Sequence, residues 1–310
     1  MKSSEQIKLY GLEKYFHEIL KLHSNKKMPN KILLSGKKGS GKATMAYHII
    51  NYILSENESD KYDLENFMIN INNKSFKLLT KNSHPNFYLI NIKEGKKNIE
   101  IDQIREMILN INKLSFNGMS RFILIDNLEY LNKNSASALL KIIEEPNDNN
   151  FFILIHNDKK IILPTLKSRC LTFKINLSFN ETISITNSLL KTDFLEIINI
   201  DLINYYNTPG DFINLVNFAL EKKINLNNYN LINFLCLLID NCYYKKNIFV
   251  KNVLIDLIEL YFLKTYCHSK AKKNILNYYY NFVNKIYNTY QFNLDEESLF
   301  MEFRSKLLNE

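Results

Sequence analysis

The chain has 310 residues, 46% of them hydrophobic and 13% aromatic, which is enough apolar side chain to pack the cores of two or three domains. Seven glycines and five prolines exclude collagen-like and linker-dominated classes. The formal charge of +8 either points to an anionic partner such as nucleic acid or follows a chain-wide excess of Lys, Asn and Ile, so single Asn and Lys residues carry little functional weight.

The first residues, MKSSEQIKLYGLEKYF, contain no apolar secretory core, and no later stretch approaches the ~18 uncharged apolar residues of a membrane span. Four cysteines occur, Cys170, Cys236, Cys242 and Cys267, and none forms a C-x-x-C pair. The expectation is a cytoplasmic protein with free thiols, no membrane partner and no cysteine-based zinc site.

In chain order, residues 11–23 carry Leu12, Tyr15, Phe16, Ile19 and Leu20 at helical spacing. KILLSG reads as a short buried strand that runs into a Gly-rich loop, and a helix follows from Lys42 to about Leu54. Residues 55–85 are polar and resist assignment. NFYLINI is a second strand, and IEIDQIREMILNINKL an amphipathic helix with Ile101, Ile104, Met107 and Ile108 on its apolar face. RFILID is a third strand. NSASALLKIIEEP is a helix stopped by Pro146, and FFILIHN is a fourth strand. Alternating strands and helices predict an α/β domain with a mainly parallel sheet. After about residue 175 long helical patterns dominate, with Pro209 marking a turn in YNTPGDF.

The loop GKKGSGKAT resembles the phosphate-binding pattern G-x-x-x-x-G-K-[ST]. Gly36 and Gly41 let the backbone approach phosphate oxygens, with Gly39 and Ser40 between them, and Lys42 would reach the β and γ phosphates of ATP or ADP. Ala43 stands where a magnesium-binding hydroxyl is expected, and Thr44 is one place late to supply it. The strand–loop–helix context favours nucleotide binding; a structural relic is the alternative. Four apolar residues, Phe122 to Ile125, lead into Asp126, the form of a strand whose carboxylate holds Mg2+ with the nucleotide. An aspartate closing a strand is also common with no such role.

The segments GKKGSGKATMAY, HPNFYLI, IEIDQIREMI, ILIDNLEYLNKNSASALLKIIEEP and ILPTLKSRC together carry a resemblance. The chain resembles clamp-loader subunits of the AAA+ class, and more closely the delta-prime type of bacterial DNA polymerase III. The match is strong over residues 25–175 and weak beyond. It implies an AAA+ nucleotide-binding domain at 1–175, a small helical lid at 176–220 and a helical oligomerisation collar at 221–310. It implies a stator in a hetero-pentamer with gamma/tau and delta subunits, which loads the sliding clamp onto primed DNA during replication.

By the same resemblance, Arg169 of Ser168-Arg169-Cys170 is an arginine finger offered to a neighbour's nucleotide; pairing with an acidic residue at the sheet edge is the alternative. Asn127 replaces the glutamate common after the Walker B aspartate, and an amide cannot act as a base. With Ala43, this implies weak binding without hydrolysis. No cysteine lies between residues 44 and 126, so the zinc module of many relatives is not expected. The sensor residue is His156 or Asn157. TPGDFINL has Asp211 and no arginine where lids often place one. An active ATP-hydrolysing gamma/tau-like subunit is the runner-up, and a plain DNA-binding protein a third reading.

Overall fold

The computed structural model describes residues 2–111, 118–144, 149–158, 161–269, 272–292 and 294–307. It resolves into two compact units. One comprises Met1–Ile185 with the tripeptide Thr208–Gly210; the other comprises Thr186–Asn207 and Asp211–Glu310.

The first unit is built on five strands: β1 (Lys31–Gly36), β2 (Phe87–Ile90), β3 (Arg121–Ile125), β4 (Asn150–Asn157) and β5 (Leu171–Lys174). Their order is β2-β3-β4-β1-β5 and every pairing is parallel, as the alternating pattern predicts. The fifth strand is an addition to the four read from the sequence. Only Phe173 of LTFK is buried, so this edge strand lacks the apolar run that marks a central one. By contrast, all five residues of β3 are buried, because helices cover both faces of the sheet.

Alternation along the strands feeds two cores. Ile32, Leu34, Phe122, Leu124, Ile153 and Ile155 pack with α1 (Glu13–Ser24) and α2 (Lys42–Leu54). Leu33, Ile123, Ile125, Phe152 and Leu154 face the other way, onto α4 (Ile101–Ile111) and α5 (Lys133–Glu144). In the stretch that resisted assignment, α3 (Lys74–Thr80) forms; its N-cap Asn73 accepts from Phe76 N at 2.8 Å. Pro146, expected to stop α5, lies outside the described residues, as does the end of the helix read through residue 114.

A short helix α6 (Pro164–Lys167) precedes β5, and α7 (Phe179–Leu190) follows it. The chain then continues as α8 (Phe194–Ile197), α9 (Pro209–Lys222), α10 (Leu231–Asp240), α11 (Tyr243–Lys246), α12 (Ile248–His268), α13 (Lys272–Phe292) and α14 (Glu296–Leu307). The second unit buries Phe234, Leu238, Leu254, Ile258, Phe262 and Phe303, with the Phe262 ring 5.8 Å from those of Phe282 and Phe303. Asn230 and Asn247 cap α10 and α12 through bonds to Asn233 N and Phe249 N. Part of the abundant asparagine is therefore used at helix starts, where its short side chain reaches orphan N–H groups. Among the described residues, no helix is long and apolar enough to cross a membrane.

Candidate functional site

β1 ends at Gly36 and α2 begins at Lys42, so the loop between them turns within five residues. Gly41, the N-cap of α2, adopts φ +86°, and a Cβ at Gly36 would lie 2.3 Å from the carbonyl oxygen of Ile175. Both positions therefore require glycine.

Lys42 is 3% exposed and folds back over the loop. Its Nζ donates to the carbonyls of Gly36 (2.8 Å) and Lys37 (2.5 Å) and approaches Ser40 Oγ at 3.4 Å. Burial lowers the pKa of its ammonium group to about 8, against the opposing pull of Asp158, Asp126 and Glu129. A buried ammonium whose close partners are two carbonyl dipoles is a fit for a phosphate, which would supply a full negative charge. Ser40 Oγ donates to Lys37 O at 2.8 Å. Ala43 packs its methyl against the core beneath α2, and Thr44 is half-buried one position further on. The loop thus fits a nucleotide's phosphates better than it fits Mg2+, for which Asp126 offers a carboxylate and residue 43 offers nothing.

Asp126 follows β3. Burial lifts its carboxyl above the usual range, opposed by the hydrogen bond from Asn127 N at 2.9 Å and by Lys42 and Lys38. Asn127 takes the left-handed conformation, φ 60°, which asparagine tolerates. Its side chain is held at both ends. Asn127 Nδ2 donates to Asn91 Oδ1 at 2.9 Å, and Asn157 Nδ2 donates to Asn127 Oδ1 at 3.1 Å. Asn157 Nδ2 also donates to Glu129 Oε1 at 2.9 Å, and Asn157 N to Glu129 Oε2 at 3.1 Å. The position expected to hold a general base is a neutral amide locked between two other amides.

The alternation of β4 separates the two sensor candidates. Asn157 joins the network below Asp126. His156 instead places Nδ1 3.0 Å from Ser35 Oγ, which donates to Asp158 Oδ1 at 3.0 Å. Asn157 therefore touches the residues following β3.

Arg169 sits elsewhere. Its Nη2 meets Glu144 Oε1 at 2.8 Å and its Nη1 donates to Thr165 O at 3.0 Å. Two residues on, Leu171 pairs with Ile32, near the start of β1, whereas the Gly-rich loop leaves β1 at Gly36. Those four residue steps separate the two levels of the sheet by about 13 Å. The structure brings Gly36, Lys42 and Asp126 into one electrostatic neighbourhood and leaves Arg169 outside it.

Four participants went unread in the sequence. Glu129 is the sole acidic residue between Asp126 and Glu144, a usable signal. Asn91 follows the β2 residue that pairs with Ile125, so register alone would have placed it beside Asp126. Thr208 and Gly210 reach the loop from 170 residues away, within the TPGDFINL stretch read above only for its missing arginine: Thr208 Oγ1 donates to Lys38 O at 2.9 Å, and Gly210 N to Gly39 O at 3.1 Å.

The family model described as DNA polymerase III, delta subunit, matches residues 11–178. The delta' subunit of DNA polymerase III from Buchnera aphidicola subsp. Schizaphis graminum is 32% identical over 166 residues, 54% of this chain and 48% of that protein. The delta' subunit from Pseudomonas aeruginosa is 30% identical over 138 residues, 44% of this chain and 40% of that protein. The gamma subunit from the same Buchnera is 34% identical over 143 residues, 43% of this chain and 38% of that protein. Among solved structures, a DNA polymerase III gamma subunit-related protein of Thermotoga maritima aligns with a TM-score of 0.48 at 18% identity, over 96% of this chain and 98% of that one. The matched stretches span less than half the length of these curated relatives. With more than half of its residues matched by the family model, the chain belongs to the DNA polymerase III delta-subunit family, as a member of the delta-prime type.

Proposed function

We propose that this chain is a stator-type subunit of a DNA polymerase III clamp loader, which binds ATP or ADP weakly, does not hydrolyse it, and lends Arg169 to a neighbouring subunit's nucleotide. The observation that carries this reading is the contrast inside one site. Lys42 and the loop glycines are intact, while Ala43 offers no metal-binding hydroxyl and Asn127 is an amide pinned by Asn91 and Asn157. A nucleotide can be held by such a loop, but water activation lacks its base. Mg2+ would be held by Asp126 and the phosphates alone, which agrees with weak binding.

Arg169 supports the trans assignment by its level in the sheet, about 13 Å from that of its own loop. In this reading residues 1–175 are the nucleotide-binding base, 176–220 a lid, and 221–310 a collar that joins gamma/tau and delta subunits in a cytoplasmic hetero-pentamer. The sliding clamp and primed DNA are met through that assembly, and zinc has no part in it. The test is titration of the purified chain with fluorescent ATP and ADP, followed by a phosphate-release assay. Weak binding that Lys42→Ala abolishes, with no turnover, is expected. Robust turnover by the lone chain would overturn the reading in favour of an active gamma/tau-like subunit.

A further inference from the structure

The tripeptide Thr208-Pro209-Gly210 is set apart by the way the chain divides. It belongs to the unit that carries the Gly-rich loop, while the residues immediately before and after it belong to the other. Contacts with two consecutive loop residues explain this. Thr208 Oγ1 donates to Lys38 O at 2.9 Å, and Gly210 N donates to Gly39 O at 3.1 Å. The approach is backbone on backbone. A Cβ at Gly210 would stand 2.7 Å from Gly39 Cα, and a Cβ at Gly39, where φ is +85°, would stand 2.3 Å from Thr208 Oγ1. Neither glycine admits a side chain without displacing the other strand of chain.

A trans peptide is planar, so fixing a carbonyl fixes the next N–H in the opposite direction. The bond to Lys38 O therefore orients the Gly39 N–H, and the bond to Gly39 O orients the Ser40 N–H. The Ser40 N–H makes only a long contact, 3.4 Å, to Lys37 O. These are donors of the kind a phosphate-binding loop turns toward its anion. Lys42 completes the arrangement by drawing in the carbonyls of Gly36 and Lys37. Each carbonyl from 36 to 39 is thus engaged on the chain itself, and the amide donors between them keep a set direction.

We propose that Thr208 and Gly210 are positioning residues of the nucleotide site, which preorganise the Gly39 and Ser40 amides for a di- or triphosphate group. The proposal rests on the reading that this loop binds nucleotide. It predicts an effect on the phosphate end of the ligand, so inorganic pyrophosphate is as good a probe as ADP. Removing one neutral hydrogen bond that orders the cradle should weaken binding roughly three- to tenfold. Gly210→Ala, which forces the two backbones apart, should weaken it more.

The experiment is calorimetric titration of the full chain with ADP and, separately, pyrophosphate, using wild type, Thr208→Val, Thr208→Ser, Gly210→Ala and Lys42→Ala, with thermal melts of each. Thr208→Val should lose the same factor for both probes at an unchanged melting temperature, and Thr208→Ser should restore wild-type affinity. Should Gly210→Ala fail to fold, Thr208→Val and hydrogen exchange at the amides of residues 38–41 decide the matter: faster exchange in Thr208→Val is expected. Unchanged affinity and exchange in Thr208→Val, with Lys42→Ala still abolishing binding, would overturn the proposal and leave the nucleotide reading standing. No binding by wild type, or binding indifferent to Lys42→Ala, would sink the nucleotide reading and this proposal with it.

Discussion

Arg169 and Glu144 form an ion pair of 2.8 Å between the turn after α6 and the last residue of α5. Both side chains are well exposed, at 38% and 48%. A pair in such surroundings is worth about 0–1 kcal/mol to folding. The acidic neighbour that the sequence left as an alternative is real, yet it is too weak to explain an arginine on stability alone.

Arg169→Ala should therefore shift the chain's unfolding free energy by less than about 1 kcal/mol in urea denaturation. In a loader reconstituted with gamma/tau and delta subunits, the same change should lower the DNA-stimulated ATPase at matched assembly. An arginine finger is worth roughly 10³–10⁵ at a single site, diluted in bulk by sites that do not use it. Lysine should rescue poorly, because it lacks the planar fork. Equal stimulated rates with wild type and Arg169→Ala would make the residue structural.

Nucleotide affinity should fall as pH rises through about 8. Burial has already lowered the Lys42 pKa to about 8, whereas a bound phosphate favours the ammonium form and raises it again. Below pH 8 the free chain already carries the proton. Above it, binding has to take one up, at a cost of about tenfold per pH unit. Titrations at pH 7, 8 and 9 in buffers of different ionisation enthalpy would read both the affinity and the proton uptake. A flat profile would contradict the role of Lys42.

Acid should loosen the first unit through His48. This side chain is fully buried on α2, with Nδ1 2.8 Å from Tyr62 Oη and Nε2 3.0 Å from Gln6 O. A ring nitrogen facing a carbonyl carries the proton, so Nδ1 accepts from the tyrosine. Burial lowers the His48 pKa to about 4. The unfolded chain binds this proton near pH 6.5 and the folded chain does not, so stability is full above pH 6.5 and is lost as pH falls toward 4. The loss is about 3 kcal/mol. Melts of wild type and His48→Leu between pH 7 and 4.5 test this: the variant should start lower and lose less on acidification.

Asn127→Glu alone should not create an ATPase. It would remove the hydrogen bonds with Asn91 and Asn157 and place a longer side chain at φ 60°, destabilising the chain by about 1–3 kcal/mol. Residue 43 would still offer no hydroxyl to a metal. Phosphate release should stay at background in Asn127→Glu, and denaturant melts should show the loss. Turnover restored by this one substitution would show that Ala43 is no obstacle.

The sheet was largely legible because its central strands are apolar runs ended by glycine or aspartate, such as KILLSG and RFILID. β5 was missed because an edge strand with a single buried residue has no such run. The loop and Asp126 were readable as local patterns. Asn91 is placed by strand register, which a linear pattern shows only once the pairing is known, whereas Asn157 was one of two sensor candidates and Glu129 was marked in the sequence as the sole acidic residue between Asp126 and Glu144. The TPGDFINL stretch was read for its missing arginine alone; the part of Thr208 and Gly210 went unread, since their contact with Lys38 and Gly39 exists only after the chain has closed on itself.

The placement of β1 between β4 and β5 has a consequence for biogenesis. Ile32 finds its partners Ile153 and Leu171 roughly 120 and 140 residues later in the chain. On a ribosome adding about 5–20 residues per second, KILLSG waits for several seconds with neither edge paired. β2 and β3 lie closer together in sequence and can pair sooner. The strand that carries the Gly-rich loop is thus among the last to be enclosed, and during that wait it is an apolar segment open to chaperones or to another nascent chain.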